Sequence, residues 1–145
     1  FASGTPYVSR IVQDGGRLYI GGDFNAIAGL ATGSFAAIER ATATVVPGSS
    51  PVGYGTTGIV VHGGRIYVSG PFMQYTDAGT AFGLVALSRS TLQLLPWVPE
   101  QPREYRAGSA IAASGDRIFV GEGWGNPDYA IDPLPATRGE ATIES

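Results

Sequence analysis

Apolar positions along this chain come in short runs separated by Gly-rich turns, without the spacing of an amphipathic helix. Three runs share one pattern, an Arg followed by aliphatic, aromatic, aliphatic: Arg17-Leu18-Tyr19-Ile20, Arg65-Ile66-Tyr67-Val68 and Arg117-Ile118-Phe119-Val120. Successive side chains of a strand point to opposite faces. These runs are therefore apolar on both faces, the signature of strands buried on both sides. Each is preceded by a turn, at Asp14-Gly15-Gly16, His62-Gly63-Gly64 and Ser114-Gly115-Asp116. Tight hairpin turns need positive φ, which glycine supplies without steric cost. Three β-hairpins are predicted, the first running out over 10–13 and back over 17–21. No stretch sustains a 3.6-residue period, so almost no helix is expected.

The hairpins belong to a longer repeat. Segments 9–29, 57–79 and 109–126 align, with the anchoring Arg17, Arg65 and Arg117 spaced 48 and 52 residues apart. An aromatic follows each hairpin: Phe24, Phe72 and Trp124. A third strand is predicted at Phe35-Ala36-Ala37-Ile38 and at Leu84-Val85-Ala86-Leu87. A fourth is predicted near Thr44-Val45-Val46 and Leu92-Gln93-Leu94-Leu95, followed by Pro47 and Pro96. In the third copy Tyr129-Ala130-Ile131 is the candidate third strand, and Pro133 and Pro135 leave little room for a fourth. The expected fold is all-β: about three four-stranded antiparallel units at 1–50, 51–100 and 101–145, the last incomplete or trailing. Repeats of four strands at a period near ~50 residues are the mark of β-propeller blades.

The residues Leu18-Tyr19-Ile20-Gly21-Gly22-Asp23-Phe24, Ala36-Ala37-Ile38, Val85-Ala86-Leu87 and Pro96-Trp97-Val98-Pro99 resemble a bacterial and fungal group of propeller repeats distantly related to kelch and galactose-oxidase propellers. Copy two departs from that pattern at Ser69 and Pro71, copy three at Glu122 and Gly123. The resemblance implies an extracellular or cell-surface protein whose propeller binds or scaffolds. Propellers have four to eight blades, so three units make an incomplete ring. The remaining blades are expected from the rest of a longer chain or from another subunit, two such chains making six. The opening Phe-Ala-Ser-Gly, without an initiator Met, fits a piece of something longer.

Composition narrows the partners. The chain of 145 residues is 43% hydrophobic and 14% charged, with 22 Gly and 10 Pro, which suits a folded, turn-rich domain. Net charge is −3, all nine basic residues are Arg, and they are scattered. A nucleic-acid surface would need a basic stripe, so none is expected. Cysteine is absent, which removes disulfides and thiolate metal sites. No apolar run approaches the ~20 residues that cross a bilayer, so no membrane insertion is expected. The partner class left is protein or glycan.

Candidate chemistry is sparse. The single His62 sits in a hairpin turn where the other copies have Asp14 and Ser114, three residue types that suit turns. Gly21-Gly22-Asp23 lacks the Lys and the helix of a phosphate loop. No Asp-rich calcium loop is present, and neither metal nor cofactor is expected. Among the carboxylates Asp23, Asp77, Glu122, Asp128 and Asp132, Glu122 stands apart, lying between Gly121 and Gly123 directly after a buried strand. Paired carboxylates there would suit glycoside hydrolysis. Of the aromatics, Trp124 falls at the repeated packing position of Phe24 and Phe72, and the resemblance implies a packing role for Trp97 at the end of its unit. Tyr105 and Tyr129 lie in Pro-containing stretches and are candidates for surface contact. Glu122, Tyr105 and Tyr129 are thus the candidate binding residues, with no catalytic set. The expected function is non-catalytic binding or scaffolding. The alternatives are a structural subunit of a surface assembly or filament, and a carbohydrate-active propeller enzyme using Glu122.

Overall fold

The computed structural model describes residues 5–47, 52, 55–98, 107–122 and 132–135. Among them the chain is all-β and antiparallel, with no helix. The first sheet contains β1 (Tyr7–Asp14), β2 (Arg17–Asp23), β5 (Phe35–Glu39) and β6 (Thr44–Val45), in that order. A two-stranded ribbon, β3 (Ala26–Ile27) with β4 (Leu30–Ala31), is inserted between β2 and β5. The second sheet is β7 (Gly58–His62), β8 (Arg65–Thr76) and β9 (Gly79–Ser88). The third is β10 (Ala107–Ser114), β11 (Arg117–Glu122) and β12 (Asp132–Pro135). Each sheet is a meander, in which neighbours in sequence are neighbours in space.

The three hairpin turns are equivalent. Asp14 pairs with Arg17, His62 with Arg65 and Ser114 with Arg117, leaving two-residue loops. The first loop residue is left-handed in all three, at Gly15 (φ 56°), Gly63 (φ 60°) and Gly115 (φ 60°). The second is not, as in a type II′ turn, which needs glycine at its first central position only. That is why Gly16 and Gly64 can be Asp116 in the third copy.

The four-strand expectation holds in full for the first sheet. In the second, the segment near Leu92–Leu95 forms one bridge, Leu87 to Leu94, flanked by backbone bonds from Ser88 N to Gln93 O and from Leu95 N to Ala86 O. Leu92 adopts φ 61°, as Ala43 does (φ 54°) at the same place before β6, so the turn is shared and only the pairing after it is shorter. In the third sheet the partner of β11 is β12 at Asp132–Pro135, whereas the sequence pointed to 129–131, which lie outside the described residues. Pro133 and Pro135 are two residues apart, so their donorless nitrogens face the same side of β12. The intervening residues can then pair with β11, and the outer side is a poor template for another strand.

The departures at Ser69 and Pro71 also have a structural reason. β8 pairs with β9 up to Ser69–Leu84 and resumes at Met73–Phe82, so Pro71 sits in a bulge opposite Gly83. A bulge is one of the few sheet positions that tolerates proline.

The sheets stack face to face in one row, and alternation along the strands assigns each side chain to an interface. Tyr19, Phe35 and Ala37 of the first sheet pack with Ile59, Ile66, Val68, Val85 and Leu87 of the second. From the opposite face of the second sheet, Tyr67, Leu84 and Ala86 pack with Trp97 and with Ile118 and Val120 of the third. Tyr19 stacks on Phe35 at 6.0 Å between centroids, and Trp97 meets Tyr67 edge-on at 5.3 Å. The second sheet is thus buried on both faces, as the pattern predicted. Trp97 is wholly buried, which makes it a packing residue.

Candidate functional site

Hydrogen bonds tie the stack together at both ends. At the turn end, Arg40 donates its backbone N–H to Gly16 O and its guanidinium to Gly15 O, and Arg89 does the same to Gly64 O and Gly63 O. Arg89 also crosses to the first sheet, where Nε and Nη2 bond the two oxygens of Asp14 at 2.8 and 2.5 Å. The Arg89 guanidinium holds the Asp14 carboxyl below its usual range, against partial burial and with help from the Tyr19 hydroxyl, which donates to Oδ2 at 3.1 Å. Burial and the neighbouring Asp14 carboxylate push the Tyr19 phenol up. His62 spans the next seam, its Nε2 2.5 Å from Gly115 O. All these groups link turns to turns, so His62 has the structural place that its turn position implied.

At the far end the seam is made of hydroxyls. Ser9 Oγ donates to Thr56 O at 2.8 Å, Ser34 Oγ and Thr56 Oγ1 lie 3.0 Å apart, and Thr56 N donates to Gly22 O. These groups satisfy one another across the seam.

This far end is where Glu122 falls. The strand register places Glu122 opposite Ala107 in the last pair of β10 and β11, the position that Gly22 holds opposite Val8. In the first two sheets this position admits only glycine. A methyl group on Gly22 would overlap the Tyr7 carbonyl oxygen, and one on Gly70 would overlap the Gly55 carbonyl oxygen. In the third sheet the pairing beside the equivalent position is more irregular. Three residues, 108–110, lie opposite one residue, 121, where the first sheet has Ser9 alone as the extra residue. The backbone of Glu122 thus lies at the rim end of the β10–β11 pair, and its side chain lies outside what the structure describes.

The same rim carries two exposed tyrosines that the sequence reading did not single out. Tyr7 pairs with Asp23 at the end of β1 and is 57% exposed. Tyr75 lies on the outer part of the β8–β9 hairpin and is 70% exposed. The signal available for them was position alone, since both lie on strands beyond the bulges and away from the Gly turns. Tyr105, Tyr129 and Trp124 lie outside the described residues. Among the described residues no three His, Asp or Glu side chains gather closely enough to hold a metal ion. Comparison with protein-family models, curated proteins and solved structures returns no match.

Proposed function

We propose that this chain is a run of three propeller-type blades acting as a non-catalytic binding or scaffolding module of an extracellular or cell-surface protein. The observation that carries this reading is the stack itself. Each unit is a meander, Tyr19 and Tyr67 both face the following unit, and the first strands lie together, with β7 touching both β1 and β10. Equivalent strands collecting on one side of a stack is what radial packing around an axis produces. The extracellular placement is supported by the resemblance of the repeat.

The rim away from the Gly turns is the binding surface in this reading. Tyr7 and Tyr75 offer flat rings with a polar tip, suited to a glycan ring or to a protein contact. The strand register puts Glu122 at the same end. The test is a panel of glycans and of surface proteins presented to the immobilised chain, scored for binding and for turnover. Binding weakened about tenfold by Tyr75→Ala or Tyr7→Ala, without turnover, is the expected result. Glycan hydrolysis that disappears in Glu122→Gln would replace this reading with the carbohydrate-active enzyme.

A further inference from the structure

The two outer surfaces of the stack are the same surfaces that are buried inside it. The aliphatic pair flanking the aromatic faces the preceding unit: Ile66 and Val68 against the first sheet, Ile118 and Val120 against the second, all fully buried. The equivalent pair in the first sheet is Leu18 and Ile20. These point away from the second sheet, because Tyr19 between them points toward it, and both are only half-buried. The aromatic obeys the converse rule. Tyr19 and Tyr67 face the following unit and are buried, whereas Phe119 faces outward and is half-buried. Among the described residues no further sheet packs on the aliphatic face at one end of the stack, where only Ala36 is fully buried, or on the Phe119 face at the other.

The outer face of the first sheet is built for cover. Its cross-strand rows are Ile11–Ile20–Ala36 and Gln13–Leu18–Ile38–Val45, with no charged residue in either, and Ile11 is 63% exposed. A sheet face meant for water alternates to polar residues, and an apolar patch of this kind marks an interaction surface.

We infer that this face docks the Phe119 face of the third sheet of a second copy of the chain. The inference rests on the stacking polarity used in the preceding section. It commits to a second copy because that copy presents the complementary face, and because the contact would continue two interfaces already formed within one chain. Such a contact is heterologous. It closes a ring of copies if the rotation per unit permits and otherwise extends into a filament.

Sedimentation of the full chain over a range of concentrations tests the association. The expected species are multiples of the 15.0 kDa chain mass, and a monomer throughout overturns the inference. The chain has no Cys, so introduced thiols report the geometry cleanly. Leu18→Cys chains mixed with Phe119→Cys chains should form disulfides between unlike variants. Efficient pairing of Leu18→Cys with itself would make the contact isologous and overturn the inference. Ile20→Glu places a charge on the half-buried face without touching the internal interfaces. It should yield a folded monomer, judged by an unchanged far-ultraviolet circular dichroism spectrum, and continued association of this variant also counts against the inference. A monomer that still binds its glycan or protein partner strikes this inference alone. An assembly that binds nothing strikes the binding reading alone.

Discussion

Truncating one repeat position in all three units measures the polarity of the stack. Ile66 and Ile118 occupy equivalent positions and are fully buried between sheets, while Leu18, at the same position of the first unit, is half-buried on the outer face. Removing a buried Ile or Leu side chain to Ala costs about 2–5 kcal/mol, because lost transfer free energy adds to the cavity left behind. Ile66→Ala and Ile118→Ala fall in that range, with ~3 kcal/mol as the central expectation. Leu18→Ala removes about three carbons, each worth ~0.8 kcal/mol if fully buried. With half of that surface already in water and no sealed cavity to leave, the cost is about 1 kcal/mol. Urea unfolding of each variant, followed by far-ultraviolet circular dichroism at concentrations low enough for a monomer, gives the three values. In thermal unfolding ~3 kcal/mol corresponds to a drop of about 6–12 °C for a chain of this size. Equal losses at Leu18 and Ile66 would refute the assignment of faces, and with it the head-to-tail order.

Other consequences are independent of that one. Gly22→Ala drives a methyl group into the Tyr7 carbonyl and must peel the start of β1 from β2. The loss of one or two ladder bonds costs about 1–2 kcal/mol in urea unfolding, and a neutral substitution would show that the strand start is not paired as described. The folded-state pKa of Asp14 lies below its ordinary value, so its contribution to stability is present above about pH 4 and is lost as the pH falls through that region. The stability difference between the parent chain and Asp14→Asn should therefore shrink steadily between about pH 5 and pH 2, and a difference independent of pH would exclude the Arg89 contact as its source. Ala28 and Gly29 form the β3–β4 turn with φ 50° and 80°, the pattern of a type I′ turn, where Asn is preferred and Ala is strained. Ala28→Asn should raise stability by about 0.5–1 kcal/mol, measured as an upward shift of the urea midpoint.

The sequence by itself determined the local structure. Alternation in Leu18–Ile20 and its two copies specified strands with two apolar faces, and a glycine at the first loop position specified each hairpin. These are short-range effects of pleat geometry and backbone sterics, so neighbouring residues suffice to settle them. Gly16, Gly64 and Asp116 at the second loop position looked like loose turn chemistry, and the fold shows that this position carries no left-handed requirement. The sequence also isolated Glu122 as anomalous without saying why. Only the three-dimensional packing puts a carbonyl oxygen across Gly22 and Gly70. It alone placed Tyr7 and Tyr75 exposed on one rim. It also decided the direction of the stack, with aromatics facing forward and aliphatics backward. A period of two says that a strand has two apolar faces, but both faces read alike until a neighbouring sheet covers one of them.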